Sequence, residues 1–234
     1  MRFRSILFSL IYFPTLAVIF IAGSLAGIFI PYKWRFFVPI CVFNIASFLL
    51  RVICGVKYRI EGRENPPKDR VFIAVSNHQS TWETYAIQTL IVPICTLLKR
   101  QLLWIPFVGW SIAFLRPIAI ERSSPIAASR KVLKVGAERL KNGVSLLIFP
   151  EGTRTSVGEI KEFKKSAAVL AAKTGAPILP ITHNAGACWP ARTYLKRGGE
   201  IVMKIGALIE TRGKSADQIH DEYTAWIRKT MSEL

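Results

Sequence analysis

The sequence predicts an α/β domain, a largely parallel mixed sheet flanked by helices, preceded by an N-terminal membrane-anchoring helical hairpin. From residue 55 onward, short apolar runs alternate with helical segments, which is typical of a parallel sheet with helices packed on it. Residues 1–54 hold five basic residues, no acidic residue and two long apolar runs. We therefore divide the chain into a membrane-associated helical segment, residues 1–54, and an α/β domain, residues 55–234.

Seven segments of the α/β domain are predicted as strands and four as helices. The predicted strands, of which Val71–Val75 and Val144–Phe149 are wholly apolar runs, are Val56–Ile60, Val71–Val75, Ile94–Leu98, Ile118–Glu121, Val144–Phe149, Ile178–His183 and Glu200–Ile209. The helices show capping residues or apolar stripes, and they cover Ser80–Ile91, Ser124–Leu140, Lys165–Thr174 and Ser215–Met231. With 234 residues, 51% of them hydrophobic, the chain can bury a core of this size.

The two apolar runs near the N-terminus predict the hairpin. Ile6–Ile30 has 25 residues without a charge, and a helix of that length exceeds the ~30 Å hydrocarbon core of a bilayer. A secretory signal is the alternative, but its apolar region would be about half as long. Phe36–Leu50 has only 15 residues, interrupted by Pro39 and Asn44, and predicts a re-entrant or interfacial helix. We favour a hairpin that enters and leaves by the cytoplasmic leaflet over a single span.

The charge of the chain predicts an anionic neighbour. Lys and Arg number 32 against 15 acidic residues, a net charge of +17, of which +12 belongs to residues 55–234. Nucleic acid, an anionic membrane surface and an acidic partner all fit this charge. The sequence contains no helix-turn-helix or aromatic RNA-binding motif, so we predict no nucleic acid as partner. Four cysteines without a CxxC spacing predict neither a disulfide scaffold nor a metal site.

His78 is the candidate catalytic base. It follows the predicted strand Val71–Val75 directly, and the carboxyl end of a strand is the usual ligand site in α/β folds. Glu83 is the candidate to orient it. Five helical positions turn through about 500°, so the two can meet only if His78 lies in a loop and Glu83 in the first helical turn. The alternative is a capping box, in which Glu83 accepts a hydrogen bond from the backbone of Ser80.

A second candidate segment, Phe149-Pro150-Glu151-Gly152-Thr153-Arg154, follows another predicted strand. A glycine allows close backbone approach, and backbone N–H groups, a hydroxyl and an arginine fork together suit a phosphate monoester. The alternative is a turn whose arginine faces solvent. The basic pairs Lys99-Arg100 and Lys164-Lys165 would by default be solvated.

Together these segments resemble the glycerolipid acyltransferase family, and in particular its bacterial 1-acylglycerol-3-phosphate acyltransferases. Four motifs occur in order between residues 56 and 210: Asn77-His78 with Glu83, Leu98-Lys99-Arg100 through Ile105–Trp110 to Ile120-Glu121-Arg122, the complete segment 149–154 followed by Phe163-Lys164-Lys165, and Ile178–Ile181. One departure is that the family's usual acid in the first motif is aspartate, where this chain has Glu83.

The resemblance implies transfer of a fatty acyl group from acyl-CoA or acyl carrier protein to the 2-hydroxyl of lysophosphatidic acid, giving phosphatidic acid. His78 would be the general base and Glu83 its orienting acid, with no cofactor and no metal. The substrate-binding residues implied are Lys99, Arg122, Glu151, Gly152, Thr153, Arg154 and Lys164. The partners would be an anionic membrane surface, lysophosphatidic acid and the acyl donor, at the cytoplasmic face of the inner membrane.

Two alternatives to this function remain open at the level of sequence. The first is an acyltransferase with another acceptor, such as lyso-ornithine lipid or glycerol-3-phosphate. The second is a non-enzymatic membrane lipid-binding protein, since the charge and the apolar N-terminal segment alone would also permit that.

Overall fold

The computed structural model describes residues 1–121, 123–159 and 161–234. Arg122, one of the implied substrate-binding residues, lies outside the described residues. Eight α-helices are present in the described residues: α1 Arg2–Ala26, α2 Phe37–Leu49, α3 Trp82–Leu90, α4 Val108–Ala113, α5 Pro125–Lys141, α6 Ser166–Thr174, α7 Ala185–Cys188 and α8 Ala216–Ser232. Seven strands are present there: β1 Val56–Glu61, β2 Ile73–Ser76, β3 Ile94–Lys99, β4 Ile118–Ile120, β5 Ser145–Ile148, β6 Ile178–His183 and β7 Gly199–Ile205.

The strands form one mixed sheet in the order β1-β7-β6-β2-β5-β3-β4. Neighbouring strands pair in parallel, apart from β6 and β7, which are antiparallel. The predicted fold class, a largely parallel mixed sheet flanked by helices, is confirmed. Strand β2 lies near the centre, between β5 and β6, so the loop that follows it is surrounded by the ends of its neighbours.

The central strands β2, β5 and β6 are buried on both faces, which explains why they are mostly apolar. Successive residues of a strand point to opposite faces. Ala74 accordingly packs with residues of α1, α2 and α3, whereas Ile73 and Val75 pack with residues of α5, α6 and α8. The core on the Ala74 face of the sheet contains Phe8, Tyr12, Phe36, Phe43, Leu50 and Trp82. The N-terminal segment and the α/β domain therefore share one hydrophobic core.

Helix α1 lies along the α/β domain and contacts it near both ends. Near its start, the Ser5 hydroxyl accepts a hydrogen bond from the Lys196 backbone N–H at 2.9 Å. Near its end, the Ser24 hydroxyl donates to the Phe107 carbonyl at 2.7 Å. Ser5 and Ser24 are about 28 Å apart along the helix axis. The outer face of α1 exposes apolar side chains, among them Phe3, Leu10, Phe13, Val18 and Leu25.

The second apolar helix is longer than the sequence predicts. A 3-10 turn, Tyr32–Phe36, precedes α2, and a π-helical turn, Leu50–Cys54, follows it. The helical stretch Tyr32–Cys54 has 23 residues, or about 34 Å, and like α1 it is long and apolar enough to cross a membrane. The prediction that this segment is too short is therefore wrong. Pro39 does not interrupt the helix, because it occupies the first turn of α2, where a backbone N–H is not needed.

Most other predicted boundaries agree with the structure to within about two residues. The prediction of a strand to Ile209 is wrong, because β7 ends at Ile205 and Ile209 makes only an isolated bridge to Ile178. The next residue is Gly206, where a Cβ would lie 2.6 Å from the Trp226 ring. Three short helices have no predicted counterpart: a 3-10 helix at Arg100–Trp104, α4 and α7.

Candidate active site

The loop after the central strand β2 places His78 beside Glu83. The Nδ1 atom of His78 lies 2.7 Å from Oε1 of Glu83, which is in the first turn of α3. This is the arrangement that the sequence spacing allows, with the histidine in a loop and the acid at the helix start. A carboxylate acceptor at Nδ1 keeps the proton on that nitrogen, so Nε2 is left to accept a proton from a substrate.

Glu83 bonds both the His78 ring and the Ser80 backbone N–H, so the hydrogen bond that each alternative requires is present, and the role of Glu83 as orienting acid stays a prediction. Its Oε1 accepts hydrogen bonds from the backbone N–H groups of Gln79 at 3.1 Å and Ser80 at 2.9 Å. The side chain is completely buried. Burial opposes ionisation, but His183, His78 and the Ser80 N–H together hold the pKa of Glu83 below its ordinary value. Glu83 is therefore a buried carboxylate whose charge faces the histidine.

His183 at the end of β6 lies next to this pair, and none of the sequence motifs includes it. Its backbone N–H and carbonyl bond the Asn77 side-chain amide at 3.1 and 2.9 Å, and its Nε2 bonds the Asn77 carbonyl at 2.9 Å. Nε2 also lies 4.0 Å from Oε1 of Glu83. Burial lowers the pKa of His183 and favours the neutral ring. One feature of the sequence could have indicated this residue: the chain has only three histidines, and His183 is the last residue of a predicted strand.

The segment after β5 is bonded directly to the His78 loop. The Phe149 ring stacks on the His78 imidazole with centroids 4.0 Å apart and planes at 16°. The Thr155 N–H and hydroxyl both donate to the His78 carbonyl, at 2.7 and 3.1 Å. The segment that begins at Phe149 therefore fixes the ring and the backbone of the candidate base together.

Two cavities meet at His78 and Phe149. The larger has a volume of about 400 Å³ and is lined by Lys99, Thr153 and Arg154, by Arg192, and by apolar residues of α1, α2 and α4. The smaller has a volume of about 250 Å³ and is lined by Gly152 and Lys164, by residues of α5, and by Ser166 at the start of α6. The structure therefore divides five of the predicted substrate-binding residues between two cavities, with Lys99, Thr153 and Arg154 in one and Gly152 and Lys164 in the other. Arg192 is a further cation at the larger cavity that no sequence motif indicates.

Glu151 is placed differently from the other residues of its segment. It is 8% exposed and lines neither cavity, so it lies beneath the site. Burial raises the pKa of Glu151 to about 8; the Glu83 charge acts in the same direction, while the His78 N–H opposes both. A neutral carboxyl group is favoured at neutral pH, and a direct contact with substrate stays a prediction.

Comparison with known proteins places the chain among lipid acyltransferases. A family model described as Acyltransferase matches residues 57–184. The 1-acyl-sn-glycerol-3-phosphate acyltransferase of Pseudomonas aeruginosa is 39% identical over 238 residues, covering 99% of this chain and 91% of that protein. A chloroplast enzyme of the same name from Arabidopsis thaliana is 39% identical over 54% of this chain and 35% of its own length. The crystal structure of the 1-acyl-sn-glycerophosphate acyltransferase PlsC from Thermotoga maritima superposes with a TM-score of 0.79 at 27% identity, covering 99% and 96% of the two chains.

Proposed function

The chain belongs to the acyltransferase family, and from that premise we propose that it acylates the 2-hydroxyl of 1-acyl-sn-glycerol-3-phosphate, forming phosphatidic acid. The acyl donor is a thioester, acyl-CoA or acyl carrier protein. The observation that carries the proposal is the hydrogen bond between His78 and a buried Glu83. His78 lines a cavity that has both cationic and apolar walls. A general base beside an anion site and an apolar site fits a phospholipid precursor with a free hydroxyl.

The histidine acts as a general base on the acceptor hydroxyl. Nε2 of His78 takes the hydroxyl proton as the oxygen attacks the thioester carbonyl, an effect of about 10²–10⁴-fold. The C–S bond then breaks, and the thiolate takes the proton back from the imidazolium. Glu83 stabilises that imidazolium through the hydrogen bond at Nδ1. No acyl-enzyme is needed, because the acceptor itself supplies the nucleophile.

The larger cavity holds the acceptor. Lys99, Arg154 and Arg192 supply positive charge for the phosphate, and Thr153 adds a hydroxyl. The remaining wall is apolar and comes from Phe20, Val38, Pro39 and neighbouring residues of the membrane-associated helices. A lysophosphatidic acid molecule would place its headgroup against the cations and its chain against those helices. A lyso-ornithine lipid has a zwitterionic amino-acid headgroup in place of a phosphate and fits three cations less well.

We propose that the N-terminal helices hold this cavity at a membrane surface. Helix α1 contacts the α/β domain near both ends and its outer face is apolar, which supports a position within one leaflet. The basic α/β domain then faces anionic headgroups. Acyl thioesters are made in the cytoplasm, so the cytoplasmic leaflet of the inner membrane is the location we propose.

The test is an acceptor and donor screen with the purified protein. We expect acyl transfer to lysophosphatidic acid, with much weaker transfer to lyso-ornithine lipid or glycerol-3-phosphate. The substitution His78→Ala is expected to reduce turnover by at least 100-fold while the protein stays folded and membrane-bound. Turnover by His78→Ala above about a tenth of wild type, or a clear preference for an acceptor without phosphate, would contradict the proposal.

A further inference from the structure

We propose that the smaller cavity is the channel for the phosphopantetheine arm of the acyl thioester, so that donor and acceptor reach His78 from opposite sides. This inference rests on the proposed function, because it assumes a thioester donor. The two cavities share His78, Leu97 and Phe149 and otherwise have different walls. A reaction between two substrates at one base requires both reacting groups to lie about 3–3.5 Å apart, and a junction of two cavities at the base permits this.

The larger cavity is already assigned to the acceptor by its walls. It contains the cations Lys99, Arg154 and Arg192 together with residues of both membrane-associated helices. The lipid acceptor arrives through the membrane, so this wall is where it enters. A volume of about 400 Å³ is then taken up by the headgroup and the first part of its chain. The donor needs another route to the same nitrogen.

The smaller cavity faces away from the membrane-associated helices. Its described lining residues lie between positions 78 and 166, so the N-terminal segment does not contribute to it. The exposed residues Pro125 and Ser129 of α5 form its rim. A donor that is dissolved in water, as coenzyme A or as a carrier protein, would therefore approach from the aqueous side. The two routes match the different phases from which the two substrates come.

The walls of the smaller cavity match the chemistry of a pantetheine arm, which alternates methylene groups with amides. Ile120, Val132 and Ile148 supply apolar surface, while Ser129 and Ser166 supply hydroxyl groups. The cavity is also bounded by Ser166, the first residue of α6, a position whose backbone N–H has no partner within the helix and can donate to an amide carbonyl.

Lys164 is the one cation among the described residues that line this cavity. A Cβ on residue 152 would lie only 3.1 Å from the Nζ atom of Lys164, and Gly152 adopts a φ of +70°. A glycine at that position therefore leaves space for the lysine next to the segment that stacks on His78. The ammonium group would face carbonyl oxygens of the arm or of the thioester.

The experiment fills the smaller cavity with the substitution Ser129→Trp. The matched control is Ala127→Trp, which projects from the same helix about 160° away and does not line the cavity. We expect Ser129→Trp to raise the thioester KM at least tenfold and to leave the lysophosphatidic acid KM within twofold. Ile112→Trp in the larger cavity should give the reverse pattern, and Ala127→Trp should match wild type.

The donors distinguish the arm from its carrier. Acyl-CoA and acyl carrier protein share the phosphopantetheine arm, so Ser129→Trp should impair both alike. Impairment of one donor only would mean that the rim recognises the carrier, and it would overturn the inference. An unchanged thioester KM, or a raised acceptor KM, would overturn it as well. Ser129→Phe is measured in parallel, with thermal unfolding in detergent, so that a folding defect in the tryptophan variant does not decide the outcome.

Direct binding separates failure of this inference from failure of the proposed function. Calorimetric titration with coenzyme A, in the absence of any acceptor, should show weaker binding to Ser129→Trp than to Ala127→Trp. If the wild-type protein transfers no acyl group to any acceptor but this difference is present, the proposed acceptor is wrong and the channel stands. If transfer occurs and both variants bind coenzyme A equally, the channel is wrong and the function stands.

Discussion

In the mechanism proposed for His78, the position of one proton determines which ring nitrogen acts as the base. Oε1 of Glu83 accepts a hydrogen bond from Nδ1 of His78 and two further hydrogen bonds from backbone N–H groups. Replacement by glutamine keeps an oxygen that can accept these bonds but removes the negative charge that stabilises the imidazolium. The residue therefore allows its capping role to be separated from its electrostatic role.

For Glu83→Gln we expect kcat to fall at least tenfold, with little change in KM or in thermal stability. Glutamine also serves in a capping box, so a residue with only the capping role would tolerate the change. Steady-state kinetics and thermal unfolding of the same preparation provide the measurement. A rate close to that of wild type would assign Glu83 to helix capping alone.

Glu151 leads to a prediction about pH. Its folded-state pKa of about 8 lies above the ordinary value of 4.5, so between these values the folded protein binds a proton that the unfolded chain has lost. The contribution of this group to stability is complete below about pH 4.5 and disappears as the pH rises through about 8. We expect Glu151→Gln to remove this loss, because glutamine is neutral at every pH.

The measurement is the unfolding temperature of wild type and Glu151→Gln from pH 6 to pH 9. The wild-type value should fall relative to that of the variant as the pH increases. The comparison isolates Glu151, because every other titrating group is common to both proteins. Parallel curves would show that Glu151 is ionised in the folded protein across this range.

Adjacent residues at the end of β3 provide a matched pair that tests the proposed phosphate site. Lys99 lines the larger cavity, whereas Arg100 is exposed and its guanidinium lies 4.0 Å from Glu121. We expect Lys99→Ala to raise the lysophosphatidic acid KM about tenfold or more, since it removes a charged contact. Arg100→Ala should leave that KM within twofold. Equal effects would mean that the general positive charge of this region, rather than a specific contact, attracts the acceptor.

The pairing of His78 with Glu83 can be predicted from sequence because the two residues are close in the chain. The supporting residues cannot be predicted in this way. His183 contacts Asn77 across 106 positions, and Thr155 contacts His78 across 77. Such contacts depend on the order in which strands pair, and a single sequence does not specify that order.

At the scale of elements, the buried strands are predictable because both faces of the sheet require apolar residues. The full length of the second apolar helix is not predictable, because charged residues end the apolar run before the helix itself ends. Tyr32 continues the helix toward the N-terminus, with its hydroxyl bonded to the Leu115 carbonyl, and Arg35 donates to the Phe114 carbonyl. Tertiary contacts therefore extend a helix beyond its apolar segment.

The packing of α1 against its neighbours depends on a close approach at Gly23. A Cβ there would lie 2.5 Å from Val38 of α2 and 2.8 Å from the Ser111 hydroxyl of α4. We expect Gly23→Leu to destabilise the protein by about 1–3 kcal/mol, because the larger side chain must push these elements apart. Its neighbour Ala22 is exposed, so Ala22→Leu is the control. Equal unfolding temperatures for the two variants would show that α1 does not pack there.

At the scale of the molecule, the first 54 residues cannot be treated as a separable anchor. Phe8, Tyr12, Phe36 and Leu50 belong to the core that covers one face of the sheet. Strand β1, which follows them, pairs with β7 from the other end of the chain, Val56 opposite Gly199. The sequence predicts the composition of these regions, but their joint core is a product of long-range pairing. Deleting residues 1–54 would expose that core, so topology has to be tested in the intact chain.

The contacts of α1 predict that all of its length lies on the same side of the membrane as the α/β domain. Single cysteines at Phe3, at Phe29 and at Glu64 test this, because all three side chains are exposed, whereas Ser5 is buried against Lys196. The half-buried Cys41 is replaced by serine, and the three buried native cysteines remain.

Phe3 marks the start of α1, Phe29 marks the turn before the second apolar helix, and Glu64 marks the α/β domain. A hairpin within the cytoplasmic leaflet should protect all three cysteines from an impermeant maleimide outside intact cells, and the Glu64 cysteine should react once the cells are opened. A single span would expose the Phe3 cysteine alone to the reagent outside. Two spans would expose only the Phe29 cysteine, since the turn would then reach the far side. Either of these patterns would show that α1 leaves the domain surface in the membrane, although its two ends are hydrogen-bonded to that surface in the folded chain.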